Sequence, residues 1–239
     1  MKHKKLFILT LIAVFAVGMT GCSNNSNKKI EEMKRYAEEK YDKEFTVEYF
    51  KGALDATYKN TLTLSDDELI FNVFYREETD VMRDDYITNL IAQKYSDYLS
   101  EKCNVTQESV QIHSLIYLGT GKTLDVEYVR NTDIRELKDE LGFSAIFLTI
   151  NTANSIKDIK NELFDLYNTI SEDTSGNIEL SVVVCDEKSS KLEKSLTNLY
   201  AYYERDFSKY PEIKEYIHII DKDISSADEL VSAIKYPST

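Results

Sequence analysis

The sequence predicts an α+β fold, with an N-terminal α-β-β-β-α unit followed by a mixed α/β unit whose helices cover a central sheet. Several segments repeat apolar residues at helical spacing, and alternating or continuous apolar runs of strand length separate them. The 239 residues include only 7 Gly and 2 Pro, which are few for the turns of a β-barrel. We expect the two units to cover residues 30–105 and 106–239.

The predicted first unit opens with an amphipathic helix over residues 30–43. Its apolar residues recur every three or four positions and share one face: Ile30, Met33, Ala37 and Tyr41. Three strand-like runs follow, over residues 45–50, 54–64 and 69–75. A second helix over residues 86–102 closes the unit, and we expect Asp84 and Asp85 to cap it. The apolar stripe of this second helix consists of Ile87, Leu90, Ile91, Tyr98 and Leu99.

The predicted second unit alternates strands with helices. Its strands cover residues 110–118, 124–129, 143–150, 178–185 and 216–220. Its helices cover residues 133–141, 155–170, 190–207 and 227–234. Three of these helices begin with capping boxes, formed by Asp133 with Glu136, Ser190 with Glu193 and Ser226 with Glu229. Residues 119–122 predict a hairpin between the first two strands, and the helical connections between later strands predict parallel or mixed pairing.

Residues 1–21 have the layout of an export signal. Three lysines, Lys2, Lys4 and Lys5, precede an apolar segment over residues 6–17. This segment is shorter than the run of about 20 apolar residues that spans a bilayer. Residues 22–29 are polar and low in complexity, so they predict a solvated tether between the signal and the folded units.

The end of the export signal, Met19-Thr20-Gly21-Cys22, resembles the lipobox of bacterial lipoproteins, with Met19 in place of the usual Leu. The resemblance implies cleavage between Gly21 and Cys22. It also implies that Cys22 carries acyl chains, such as palmitate. The protein would then be anchored to the cell membrane through this lipid, with its folded part extracellular. The alternative is an ordinary signal peptide that is cut elsewhere, with Cys22 incidental.

A second resemblance involves the first unit. The segments Tyr36-Ala37-Glu38-Glu39-Lys40-Tyr41, Phe45-Thr46-Val47 and Asp84-Asp85-Tyr86 are similar to motifs of small exported proteins of Gram-positive bacteria. In those proteins a Tyr-x-x-Glu-Lys-Tyr helix precedes a Phe-x-Val strand, and Asp-x-Tyr opens a later helix. They have no assigned activity, so the resemblance implies a domain and no mechanism.

The formal net charge of −13 limits the partners that the protein can have. An acidic surface repels nucleic acid and anionic lipid at long range. It favours solubility, cations or a basic partner. We therefore expect no nucleic-acid partner.

The cysteines and histidines offer few catalytic possibilities. Outside the cytoplasm, Cys103 and Cys185 either form a disulfide or remain two buried thiols, and the sequence leaves both open. Past the leader, the histidines His113 and His218 both lie in predicted strands, and no Gly-x-Ser-x-Gly motif presents a serine. The sequence from residue 119 to 123 lacks the first glycine of a phosphate-binding loop, so it predicts a turn.

The most specific candidate for a metal site is acidic. If the last three strands run parallel, their carboxyl ends bring together Asn151, Asp186, Glu187, Asp221 and Asp223. Clustered oxygen ligands suit Ca²⁺ or Mg²⁺. The alternative is that these acids simply precede helix N-termini, where the helix dipole favours them.

The function predicted from these features is a lipid-anchored binding or scaffold module of the cell envelope, with no recognisable catalytic apparatus and no cofactor. Its expected contacts are the membrane, through the lipid on Cys22, and an envelope protein. Two other classes compete with this prediction. One is a metal-assisted hydrolase built on the acidic edge, and the other is a solute-binding lipoprotein.

Overall fold

The structure is a computed structural model that describes residues 24–52, 60–67, 69–103, 110–118, 124–185, 212–220 and 223–237. It confirms the α+β class, with helices and two four-stranded sheets. The chain divides into two compact units between Asp84 and Asp85. The leader with Gly21 and Cys22 lies outside the described residues, as do the predicted turn at 119–122 and the predicted helix at 190–207.

In the described residues, the first unit is an antiparallel sheet with one helix. The helix α1 spans Asn24–Tyr41. The strands are β1 (Thr46–Gly52), β2 (Asn60–Ser65), β3 (Ile70–Arg76) and β4 (Val81–Asp84), in the spatial order β1-β2-β3-β4. One face of the sheet carries the fully buried residues Leu62, Leu64, Phe71 and Val73. Met33 and Ala37 of α1 are also fully buried, as their helical spacing predicts.

Two features of this unit differ from the sequence prediction. The helix begins at Asn24, so the part of the predicted tether that the structure describes is helical. Lys29 contributes to this extension, because its Nζ lies 2.7 Å from the Glu32 carboxylate and 3.7 Å from the centroid of the Tyr75 ring. The short strand β4, which pairs with β3, was not predicted because its four residues show no clear alternation.

The second unit is a mixed sheet with helices. The helices that the structure describes in it are α2 (Tyr86–Lys102), α3 (Val126–Asn131), α4 (Ile134–Leu141), α5 (Lys160–Asp173) and α6 (Ala227–Ser232). Its strands are β5 (Val110–Leu118), β6 (Phe143–Thr152), β7 (Thr174–Cys185) and β8 (Ile213–Ile220), in that spatial order. The pairs β5–β6 and β7–β8 are antiparallel, whereas β6–β7 is parallel, which confirms mixed pairing.

The boundary between the units and one element differ from the prediction. The helix α2 packs on β5 and belongs to the second unit, so the boundary lies about twenty residues before the predicted one. Residues 126–131 form α3 instead of the predicted strand. The Asp125 carboxylate caps this helix by accepting a hydrogen bond from the Tyr128 N–H at 3.1 Å, and the short apolar run Leu-Asp-Val-Glu-Tyr-Val fits either periodicity.

Glycines and caps fix the ends of several elements. Gly142 follows α4 with a φ of +62°, a conformation that favours glycine. A Cβ at Gly176 would lie 1.7 Å from the Ser144 carbonyl oxygen, so the start of β7 approaches β6 only because this residue is glycine. Ser226 Oγ accepts a hydrogen bond from the Glu229 N–H at 3.3 Å, which is one half of the predicted capping box, whereas the Glu229 carboxylate accepts from the Ser225 N–H at 3.0 Å.

Candidate functional site

The strand directions of the second sheet do not provide the arrangement on which the predicted acidic metal site depends. Strand β8 runs antiparallel to β7, so Ile220 pairs with Glu179 near the start of β7. The ends of the two strands, Cys185 and Ile220, therefore lie about 20 Å apart along the sheet. The parallel arrangement that would bring Asp186 and Glu187 to Asp221 and Asp223 is wrong.

The individual residues of that predicted site have other surroundings. Asp186, Glu187 and Asp221 lie outside the described residues, and Asp223 is exposed. Asn151 is buried, and its side-chain oxygen accepts a hydrogen bond from Cys185 Sγ at 2.9 Å. Nowhere in the described ranges do three or more His, Cys, Asp or Glu side chains come together as metal ligands would.

Cys103 and Cys185 are not joined by a disulfide in the structure, which decides between the two alternatives that the sequence left open. Cys185 is buried at the end of β7 and bonds to Asn151. Cys103 follows α2, and its Sγ lies 4.0 Å from Thr169 Oγ1. Burial of the Cys103 thiol raises its pKa, which lowers its thiolate fraction. Each thiol thus packs in a different place, and the alternative of two buried thiols holds for Cys185, whereas Cys103 is only partly buried.

The histidine His218 belongs to a polar cluster on the sheet that resembles a catalytic triad only in composition. Its Nδ1 lies 3.0 Å from Ser181 Oγ and 3.5 Å from Glu179 Oε1. In a triad the acid and the serine contact opposite ring nitrogens, whereas here both contact the same one. Ser181 is also fully buried, so a substrate does not reach its hydroxyl. The other histidine, His113, lies in the same cross-strand row, opposite Thr149, which is opposite Ser181.

The Tyr-x-x-Glu-Lys-Tyr segment converges on one aspartate of the first unit. The Asp84 carboxylate, with 1% of its side chain exposed, accepts hydrogen bonds from the Tyr36 hydroxyl at 3.0 Å and from Lys40 Nζ at 2.6 Å. The Tyr41 hydroxyl donates to the other carboxylate oxygen. Burial and the Asp84 charge raise the pKa of Tyr36, so the phenol stays protonated and donates. We call these four residues the Asp84 clamp, and they join α1 to β4.

The Asp84 clamp corrects the predicted helix cap. Asp85 occupies the N-cap position of α2, and its side chain forms no capping hydrogen bond. Asp84 uses its carboxylate for α1 instead. In the same segment, Glu38 accepts a hydrogen bond from the Phe45 N–H at 3.3 Å. The motif residues therefore serve packing within the first unit.

A second buried aspartate has similar partners in the second unit. Asp173, with 4% of its side chain exposed, accepts hydrogen bonds from the Tyr95 hydroxyl at 2.9 Å and from Lys138 Nζ at 2.6 Å. We call these three residues the Asp173 clamp. Burial and the Asp173 carboxylate raise the pKa of Tyr95. Because an acid at the C-terminus of α5 opposes the helix dipole, the Lys138 charge is needed there.

A groove in the second unit is an open concave surface lined mainly by charged side chains. It has a volume of about 520 Å³. Its walls are formed by α2 and by the start of α4, and its lining residues are Lys94, Asp97, Tyr98, Glu101, Lys102, Asp133, Ile134 and Arg135. We call it the α2–α4 groove. Tyr98, which the sequence placed on the buried stripe of α2, lines this groove half-exposed.

Several charged groups of the α2–α4 groove are already bound within the protein. Lys94 Nζ donates to the carbonyl oxygens of Val129, Arg130 and Thr132 at 2.8–2.9 Å, and so caps the C-terminus of α3. Arg135 donates through Nε and Nη2 to the two carboxylate oxygens of Asp133, each at 2.9 Å. These bonds fix the walls of the groove.

Two carboxylates of the groove remain without a cation. Asp97 and Glu101 lie one turn apart on α2 and are both exposed, and within the described ranges neither forms an ion pair. Partial burial of the Asp97 carboxyl, together with the neighbouring Glu101 charge, raises the pKa of Asp97. Along the chain, Tyr98 lies between these two acids. Lys102 Nζ is 5.6 Å from the centroid of the Tyr98 ring. A guanidinium or ammonium group from a partner would relieve the repulsion between the two acids.

Comparison with protein-family models, with curated proteins and with solved structures finds no match for this chain. Both resemblances of the sequence therefore remain predictions. None of the described helices has a stretch that is long and apolar enough to cross a membrane.

The sequence carried signals for some of the residues that were missed. Tyr95 follows Ile91 by four positions and precedes Leu99 by four, so helical spacing already places it on the buried face. Asp97 and Glu101 also have the spacing of neighbours on a helix. No sequence pattern indicates Asp173, because its partners lie on α2 and α4, distant along the chain.

Proposed function

We propose that the protein is a lipid-anchored binding or scaffold module at the extracellular face of the cell membrane. The observation that carries the binding role is the α2–α4 groove, whose carboxylates Asp97 and Glu101 have no cationic partner in the described chain. An exposed pair of acids beside a tyrosine ring fits a basic side chain of a protein partner. The net charge of −13 favours the same class of partner.

The anchoring role is supported by the leader and by its distance from the folded chain. The lipobox-like segment ends at Cys22, and α1 begins only two residues later, at Asn24. A lipid on Cys22 would therefore hold the first unit next to the bilayer. Two or three acyl chains, at about 0.8 kcal/mol per buried methylene, give stable attachment.

The experiment that tests the binding role is crosslinking of the native protein in intact cells, followed by mass spectrometry of the attached proteins. We expect one reproducible envelope partner. The double variant Asp97→Asn with Glu101→Gln should lose most of that crosslink. Asp158→Asn with Glu162→Gln is the matched control, because these acids are also exposed and four residues apart.

The outcomes separate the proposed role from its competitor. If the groove variant and the control both retain the partner, the groove is not the contact surface. If only random neighbours are crosslinked, the binding-module proposal fails in favour of a solute-binding lipoprotein. Anchoring has its own test, since Cys22→Ala should move the protein out of the membrane fraction.

A further inference from the structure

The β3–β4 hairpin of the first unit places two arginines on one face. Arg83 pairs with Phe74 across the strands, and Arg76 pairs with Val81. Phe74 and Arg76 are two residues apart on β3, so their side chains project from the same face. Arg76 and Arg83 are thus diagonal neighbours, with a separation of about 7–8 Å at the backbone.

These arginines line a small pocket with Thr79 and Val81. Its volume is about 140 Å³. Arg83 is exposed, and it forms no ion pair with any residue that the structure describes. Two guanidinium groups and a hydroxyl have the donors that a phosphate group accepts, and the planar guanidinium matches its oxygens in pairs.

The position of the hairpin relative to the start of α1 indicates where the phosphate comes from. Lys29 lies over the Tyr75 ring at 3.7 Å, so the first turns of α1 lie beside the end of β3. From Cys22 to Lys29 the chain has two residues before the helix and six helical residues. Lys29 is therefore within about 15 Å of Cys22. The hairpin is at the end of the unit where the lipid would be attached.

We propose that the pocket of Arg76, Thr79 and Arg83 binds the phosphate of membrane lipid headgroups and so orients the first unit on the bilayer. This proposal rests on the lipid anchor of the proposed function. The phosphate contact would be a second attachment to the bilayer, whereas the lipid anchor alone would leave the first unit free to rotate on the membrane surface.

The acids of the hairpin turn determine what kind of contact this is. Glu77, Glu78 and Asp80 lie between the two arginines, and Asp80 accepts a hydrogen bond from the Tyr75 hydroxyl at 3.0 Å. Their charges cancel long-range attraction to an anionic surface. The contact therefore forms only at close range, once the anchor has brought the hairpin to the headgroups.

The test measures hydrogen exchange of the mature, lipid-modified protein reconstituted in two kinds of vesicle. One kind contains phosphatidylglycerol, and the other contains a phosphate-free glycosyl diacylglycerol. We expect the amides of residues 76–84 to exchange about fivefold more slowly on the phosphate-bearing vesicles. Arg83→Gln and Arg76→Gln should each remove most of this difference. Arg35→Gln is the control, since this α1 arginine is 68% exposed and only loosely paired, 3.8 Å from Glu39.

Three results would overturn the proposal. The first is equal exchange on the two kinds of vesicle, and the second is retention of the difference in both arginine variants. The third is that inorganic phosphate, added to the protein on the glycolipid vesicles, slows the exchange of these amides as much as the phosphate-bearing vesicles do. That result would make the pocket a site for free phosphate. The mass of the N-terminal peptide tests the anchor separately, so loss of orientation is distinguishable from loss of lipidation.

Discussion

The buried aspartates and the groove acids of this protein carry the same charge in opposite circumstances. Asp84 and Asp173 have 1% and 4% of their side chains exposed, and each binds a lysine and at least one tyrosine hydroxyl. Asp97 and Glu101 are exposed, and in the part of the chain that the structure describes they have no such partners. Acids of the first kind stabilise the fold, and acids of the second kind are available to another molecule.

The pKa shifts express the same difference. Burial alone would lower the pKa of Lys40 and of Lys138, but the hydrogen bonds and charges of Asp84 and Asp173 more than compensate, so both pKa values are raised. In the groove, burial and the Glu101 charge raise the pKa of Asp97. Ionisation is favoured for the lysines of the clamps and disfavoured for Asp97, because only the clamps pair opposite charges.

The largest expected effect is that of Asp84→Ala. The substitution leaves two tyrosine hydroxyls and Lys40 without their acceptor, and Lys40 recovers part of its hydration because 42% of its side chain is exposed. We expect the free energy of unfolding of the first unit to fall by about 3 kcal/mol. Hydrogen exchange of the β3 amides, measured over a series of urea concentrations, gives this loss.

The matched control for the Asp84 clamp is Asp67→Ala, because Asp67 is an exposed aspartate of the same unit. Its effect should stay within about 0.5 kcal/mol. Equal losses in the two variants would mean that the clamp contributes nothing specific, and the packing role assigned to the Tyr-x-x-Glu-Lys-Tyr segment would be wrong.

A smaller loss is expected for Tyr95→Phe in the second unit. The variant keeps the ring, which packs edge-on against Phe143 at 5.4 Å, and removes one hydrogen bond to the buried Asp173. We expect about 1–2 kcal/mol, measured by urea unfolding. Tyr236→Phe is the control, since that ring is 62% exposed. A Tyr95→Phe protein as stable as the parent would show that Lys138 alone satisfies the carboxylate.

The Asp173 clamp also makes a prediction about pH. Because the folded-state pKa of Lys138 lies above the ordinary value of 10.5, the clamp stabilises the protein fully below pH 10.5. Its contribution is lost as the pH rises through the folded-state pKa. Lys138→Met should therefore lower the free energy of unfolding at neutral pH, and this loss relative to the parent should shrink in alkaline solution. A difference that stays constant above pH 10.5 would contradict the electrostatic explanation.

Much of the fold follows from local patterns, whereas strand direction does not. Continuous apolar runs predicted β6 and β7, since strands buried on both faces have no polar side to show. The sequence left the direction of β8 open, because it depends on how the chain returns to the sheet after Cys185, and no local property of Ile213–Ile220 encodes it. The acidic metal site required a parallel β8, and the antiparallel direction removes that condition.

The candidate site was less predictable than the fold. Asp84 was expected to cap α2, because aspartate before a helix usually does, yet three donors on α1 take its carboxylate. The α2–α4 groove depends on α3 and α4 lying against α2, and residues 124–129 were predicted as a strand. Long-range contacts thus decide which acids are used within the protein and which are left for partners.

The smallest expected effect, and the only stabilising one, is that of Asp97→Asn. Because the folded-state pKa of Asp97 lies above its ordinary value of 3.8, the unfolded chain loses this proton first as the pH rises. Stability therefore decreases from pH 3.8 upward through the folded-state pKa and stays lower at pH 7. Asparagine removes the repulsion with Glu101, so we expect a gain of about 0.3 kcal/mol, or roughly 1 °C in Tm, at pH 7.

The gain should shrink below pH 3.8, and calorimetry across this range measures it against Asp158→Asn as the control. If Asp97→Asn instead destabilised the protein at pH 7, Asp97 would belong with Asp84 and Asp173 as an acid that the fold requires, and the groove would lose its unpaired charge.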